Sequence, residues 1–127
     1  MKNAAGMPGL EALYPLVLKG LDQRGYDFTH AARVLAENPA KLFRLEGVKG
    51  ALREGRDGDV VLARRDPYVY HAADSGANVV DWSAYEGMEM PFRIDSAFLR
   101  GKAIMAEGEV LAEPGSGRFL VPGMTSS

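Results

Sequence analysis

Apolar positions follow a helical period in the first third of the chain and a strand period later. Leu13, Leu16, Val17 and Leu21 recur at the three- and four-residue spacing of one helix face, with Lys19, Asp22 and Gln23 elsewhere. A helix over 13–23 follows, with Pro15 acceptable only near its start and Gly25 ending it. Asp27 and Thr29 are both suited to cap a second helix, His30 to Glu37, whose narrow stripe is Ala31, Val34 and Leu35. Asn38 caps a third, with Pro39 in its first turn, Leu42, Phe43 and Leu45 as its apolar face, and Gly47 as its stop.

From Val48 the period changes. Ala51-Leu52 and Asp59 to Ala63 read as short strands, the second buried and entered through a turn at Gly55, Asp57 and Gly58. Asp66-Pro67 breaks that run, and Tyr68, Val69 and Tyr70 alternate weakly. Ala72 to Pro91 shows no period and reads as a long ordered loop anchored by Trp82 and Tyr85. Phe92 to Arg100 alternates cleanly. Lys102 to Met105 and Val110 to Ala112 form a hairpin across Glu107-Gly108, where glycine tolerates a positive φ. Pro114 to Gly117 is a loop without phosphate-cradle spacing, and Met124 to Ser127 is a frayed end.

Composition narrows the function classes. The 127 residues suffice for one domain or part of one, and 46% hydrophobic residues allow a core. A net charge of −2 gives no general attraction to nucleic acid or acidic membranes. Without cysteine there is neither disulfide nor thiolate metal site, which fits a cytoplasmic protein. No signal segment opens the sequence, and no run approaches the ~18 apolar residues of a membrane span.

The polar residues supply no catalytic centre. His30 and His71 are the two histidines, 41 positions apart, and read as capping or surface residues. Asp57 and Asp59 have Asp-Gly-Asp spacing, but no EF-hand ligand set follows, so they read as a turn and a strand edge. Glu86, Glu89, Glu107, Glu109 and Glu113 fall on turns and loops, where solvation is the default. Met1 to Gly9 is a loop of small residues, suited either to a flexible tail or to close backbone approach.

Several stretches, in order along the chain, carry a resemblance. NPAKLF (Asn38 to Phe43), Lys49-Gly50 and GRDGDVVL (Gly55 to Leu62) are similar to the exit from the catalytic barrel in the amidohydrolase superfamily. PGLEALYPLVL (Pro8 to Leu18) resembles the loop and helix after the last barrel strand. NVVDWSAYEGMEM (Asn78 to Met90) and FLRGKAIMAEGEVLAEPGSGRF (Phe98 to Phe119) resemble the C-terminus of hydantoinase-type members. Hydantoinases and dihydropyrimidinases look most alike, then allantoinases and dihydroorotases. The resemblance implies an α+β chain: residues 1–46 as the last helices of a TIM-type (β/α) barrel, and residues 47–127 as part of a small β-sandwich domain.

It also implies a function. The family hydrolyses cyclic amide C–N bonds with a metal-activated water, and its binuclear zinc and catalytic aspartate would lie upstream of Met1. Ala5, Pro8 and Gly9 match a loop that offers backbone groups to the ring substrate, although hydantoinases tend to carry asparagine at the Ala5 position. On this reading the chain contains no catalytic residue and no metal ligand, and its partner is the remaining barrel or a second copy. A non-catalytic assembly or scaffolding module of the same family is the alternative, and an independent small α+β binding domain is a third.

Overall fold

The structure, a computed structural model, describes residues 9–74 and 82–124. Helix α1 spans Leu13–Gln23, the bounds that its periodicity implies. Gly25 takes a φ of 66°. The Tyr26 N–H then donates to the Leu21 carbonyl at 3.0 Å and the Gly25 N–H to that of Asp22 at 3.1 Å, closing the helix in a Schellman arrangement.

The next helical segment is continuous where two helices are expected. Helix α2 (Thr29–Ala32) runs through a π-helical turn (Arg33–Glu37) into α3 (Asn38–Leu42). Thr29 donates its N–H to Oδ1 of Asp27 at 2.7 Å. Asn38 does not cap: its φ and ψ are −65° and −44°, inside the helix. The π turn ends at Glu37, two residues before Pro39; the proline's missing N–H interrupts the regular ladder, and the wider turn absorbs that break without ending the helix. Gly47 is not the stop either. Arg44 occupies the left-handed position at φ 57°, its N–H donating to the Lys41 carbonyl at 3.1 Å and the Leu45 N–H to that of Ala40 at 2.8 Å. Two local hydrogen bonds thus hold a non-glycine residue where glycine is favoured. Gly50, at φ 86°, tucks the outgoing chain against the helix: a Cβ there would meet that of Ala40 at 2.6 Å.

Four strands follow: β1 (Val60–Val69), β2 (Glu89–Leu99), β3 (Lys102–Ala106) and β4 (Glu109–Val110). They form one antiparallel sheet in sequence order. Ala51-Leu52 is not a strand; Leu52 is 72% exposed and presents no face to pack. β1 is an edge strand and mostly exposed rather than buried. It also passes through Asp66-Pro67, where its register against β2 shifts between Arg65 and Tyr68. A proline is tolerated at such an edge bulge because no ladder donor is needed there. Of the expected loop at 72–91, Ala72–Asp74 form a 3-10 turn and Glu89–Pro91 already belong to β2. Tyr85 packs against the buried cluster, whereas Trp82 is 47% exposed. Arg100-Gly101 and Glu107-Gly108 both place two successive residues at positive φ, as two-residue hairpins require.

Helices and sheet share their core. Ala12, Tyr70, Ala72 and Met90 form one buried cluster, flanked by Leu16, Tyr68, Tyr85 and Met88. Leu18, Ala31 and Phe92 form the second, flanked by Val17, Leu21 and Leu35. The apolar face of α1 is therefore buried within this chain, rotated so that Leu13 is exposed. The end of α3 is different: Leu42 and Phe43 stand 76% and 62% exposed.

Two outcomes are expected. Gly108→Val forces a branched side chain to φ near 85° and should lower stability by roughly 1–2 kcal/mol; an unchanged denaturant midpoint would refute the turn assignment. The exposed Leu42 and Phe43 should make the chain associate. Leu42→Lys combined with Phe43→Ser should shift its sedimentation profile toward monomer, and an unaltered profile would clear that face.

Candidate functional site

The implied substrate loop meets the fold at Gly9. Ala5 and Pro8 lie outside the described residues. Gly9 immediately precedes the turn into α1, and its carbonyl accepts the Ala12 N–H at 3.1 Å. Ala12 is fully buried, so the inner end of the loop is fixed to the core.

Three further groups converge around that point. Tyr70, at the end of β1, is 4% exposed and donates its phenolic proton to Oε1 of Glu11. Its backbone pairs with the loop before β2: Tyr70 N–H to the Met88 carbonyl and Gly87 N–H to the Tyr70 carbonyl, both at 2.9 Å. Glu86 then spans the gap to the 3-10 turn. One carboxylate oxygen lies 2.6 Å from Nδ1 of His71, and the other accepts the Ala72 N–H at 2.9 Å. Glu86 is thus a structural clamp rather than a merely solvated carboxylate. The Ala72 N–H bond and then the His71 contact hold its pKa below the ordinary 4.5. Tyr85, next to it, lays its ring edge on Gly9.

The other candidate residues are occupied elsewhere. His30 sits at the start of α2, with Nδ1 3.1 Å from the Asp27 carbonyl oxygen and its ring 5.2 Å from that of Tyr26. Asp57 and Asp59 grip one cation: Lys49 Nζ lies 2.7 Å and 2.5 Å from their carboxylates. Burial lowers the Lys49 pKa, and the two carboxylate hydrogen bonds outweigh that and raise it. Asp59 also accepts the Arg100 N–H at 2.9 Å, tying this knot to the β2–β3 turn. Glu89, Glu107, Glu109 and Glu113 are exposed.

A zinc pair does not fit this donor set. Among the described residues no three histidine or carboxylate side chains come together as a metal-ion cluster. The His71–Glu86 pair is committed to an internal clamp, and His30 to the start of α2. Sequence reading identified Tyr85 as a loop anchor but not its contact with Gly9, nor the pairings Tyr70–Glu11 and His71–Glu86. These partners are far apart in the chain and carry no periodic signal.

The clamp should be sensitive to acid. A carboxylate with a depressed folded pKa stabilises above its unfolded value and loses that contribution as pH falls through the folded one. The Glu86 contribution is therefore present above the ordinary 4.5 and lost below it. Glu86→Gln should flatten the acid limb of the stability–pH curve below about pH 4.5; an acid limb identical to that of the wild type would show that the clamp contributes nothing.

No helix among the described residues is long and apolar enough to cross a membrane, and no protein-family model matches the chain. Individual relatives do match. The D-hydantoinase of Ralstonia pickettii is 32% identical over 115 residues, which is 91% of this chain and 25% of that enzyme. The dihydroorotase of Methanosarcina acetivorans is 32% identical over 117 residues, again 91% of this chain and 25% of that protein. A solved structure of D-hydantoinase superposes with a TM-score of 0.85 at 32% identity, over 92% of this chain and 26% of that one. The chain spans about a quarter of the length of the curated relatives it matches. In sequence and in fold alike, it is a partial piece of the cyclic amidohydrolase family to which hydantoinases and dihydroorotases belong.

Proposed function

We propose that this chain is the C-terminal portion of a hydantoinase- or dihydropyrimidinase-like enzyme that hydrolyses a cyclic amide C–N bond. Residues 1–46 would be the last helices of its barrel and residues 47–127 part of its small β-sandwich domain. The observation that carries this reading is the superposition on D-hydantoinase, which takes in nearly all of this chain and about a quarter of the enzyme. The exposed Leu42 and Phe43 support it, since they are suited to a larger neighbouring body. Within that enzyme, Ala5, Pro8 and Gly9 would line one side of a small ring substrate through backbone groups. The metal, a zinc pair in this reading, would be held by residues outside the described ones, because those present do not suit it.

The chain alone should therefore be inert. It is expected to hydrolyse neither hydantoin, dihydrouracil, allantoin nor dihydroorotate, with or without added zinc, cobalt or manganese. It should also retain no stoichiometric metal after dialysis. Metal-dependent turnover that co-purifies with the chain and disappears in His30→Ala or His71→Ala would overturn the assignment of the metal site. A coding sequence continuing upstream of Met1 with a His-x-His pair would support the enzyme reading. An upstream sequence lacking metal ligands would favour the scaffolding module instead.

A further inference from the structure

We propose that Tyr85 is the positioning residue for Gly9, and that the Glu86 clamp holds Tyr85 on it. The inference rests on the reading of Gly9 as the inner end of a substrate loop. Its first support is steric. A β-carbon at Gly9 would lie 3.0 Å from Cε2 of Tyr85 and 3.7 Å from Cδ2. A β-carbon at this position would therefore crowd the ring edge.

The second support is the way the ring is held. Tyr85 lies in a turn whose backbone is fixed on both sides: Met88 N–H donates to the Tyr85 carbonyl at 3.0 Å, and Gly87 N–H to the Tyr70 carbonyl at 2.9 Å. The neighbouring Glu86 spends both carboxylate oxygens on His71 and Ala72. Ala72 is 1% exposed and belongs to the same buried cluster as Ala12. Gly9 is consequently gripped twice, by the Ala12 N–H at the head of α1 and by the Tyr85 ring. The inner end of that loop thus takes its position from the turn of residues 82–88.

Hydrogen exchange on the chain itself tests this without substrate or metal, so its outcome is independent of whether the catalytic reading holds. The reporters are the amides of Ala12 and Leu13, which donate to the Gly9 and Leu10 carbonyls at 3.1 and 3.3 Å. The control is the hairpin of β3 and β4. Tyr85→Ala should speed exchange at the reporters by about tenfold and leave the hairpin unchanged. Tyr85→Phe, which keeps the ring, should restore the wild-type rates, and Glu86→Gln should reproduce part of the acceleration. Gly9→Ala should speed the reporters in the wild-type background and have little further effect in Tyr85→Ala. Unchanged reporters in Tyr85→Ala, equal acceleration in the hairpin, or additive effects of Gly9→Ala and Tyr85→Ala would overturn the assignment to Tyr85. No response to Glu86→Gln would remove the clamp from it.

Discussion

The packing of α1 across the first half of β2 is the constraint on which the rest of this structure depends. Met90 and Phe92 are two residues apart and so project from the same face of the strand. Each enters a different buried cluster, Met90 with Ala12 and Phe92 with Leu18. Ala12, Pro15 and Leu18 are the buried positions at this end of the chain, three residues apart on one side of the helix. One helix face and one strand face thus organise both clusters. Everything else is attached to that contact: α2 through Ala31, the end of β1 through Tyr70, and the turn of residues 82–88 through Tyr85 and Met88.

Charged groups fix the orientation of the layers without supplying much of their stability. Arg65 reaches from β1 to Asp22 on α1 with contacts of 2.6 and 3.2 Å, and its guanidinium lies 4.7 Å from the ring centroid of Phe92. Arg93 similarly covers Tyr68 while bonding Asp66 at the bulge. These groups are largely exposed, and exposed ion pairs contribute about 0–1 kcal/mol each. The half-buried knot of Lys49, Asp57 and Asp59 is better shielded. It fastens the exit from the helical half to the turn between β2 and β3.

Local rules made some of this legible in the sequence. The bounds of α1 follow from its period and from Gly25, because a glycine-closed helix end needs only neighbouring residues. The Glu107-Gly108 hairpin is readable for the same reason. Arg44 was not, since a left-handed arginine contradicts propensity and is held by carbonyls that the helix itself supplies. The run of β1 through Asp66-Pro67 was also hidden: a bulge is defined by the partner strand, which begins twenty residues later. At the candidate site Gly9 is singled out by resemblance alone. Tyr85, Glu11, Glu86 and Tyr70 gain their roles from contacts that only the fold creates. The family, in contrast, was legible from the order and spacing of several short stretches that are each only moderately specific.

The distance along the chain between the two sides of the central contact has a consequence for biosynthesis. Lys19 on α1 donates to the Glu89 carbonyl at the start of β2, 70 positions away. Translation proceeds N-terminal first at about 5–20 residues per second. The apolar face of α1 is therefore made roughly 4–14 s before the strand that covers it. During that interval the nascent helix displays Leu16, Val17, Leu18 and Leu21 with no β2 to receive them. Folding of this stretch is late and non-local whatever its helix propensity. The residues exposed in that interval are the same ones that later form the core.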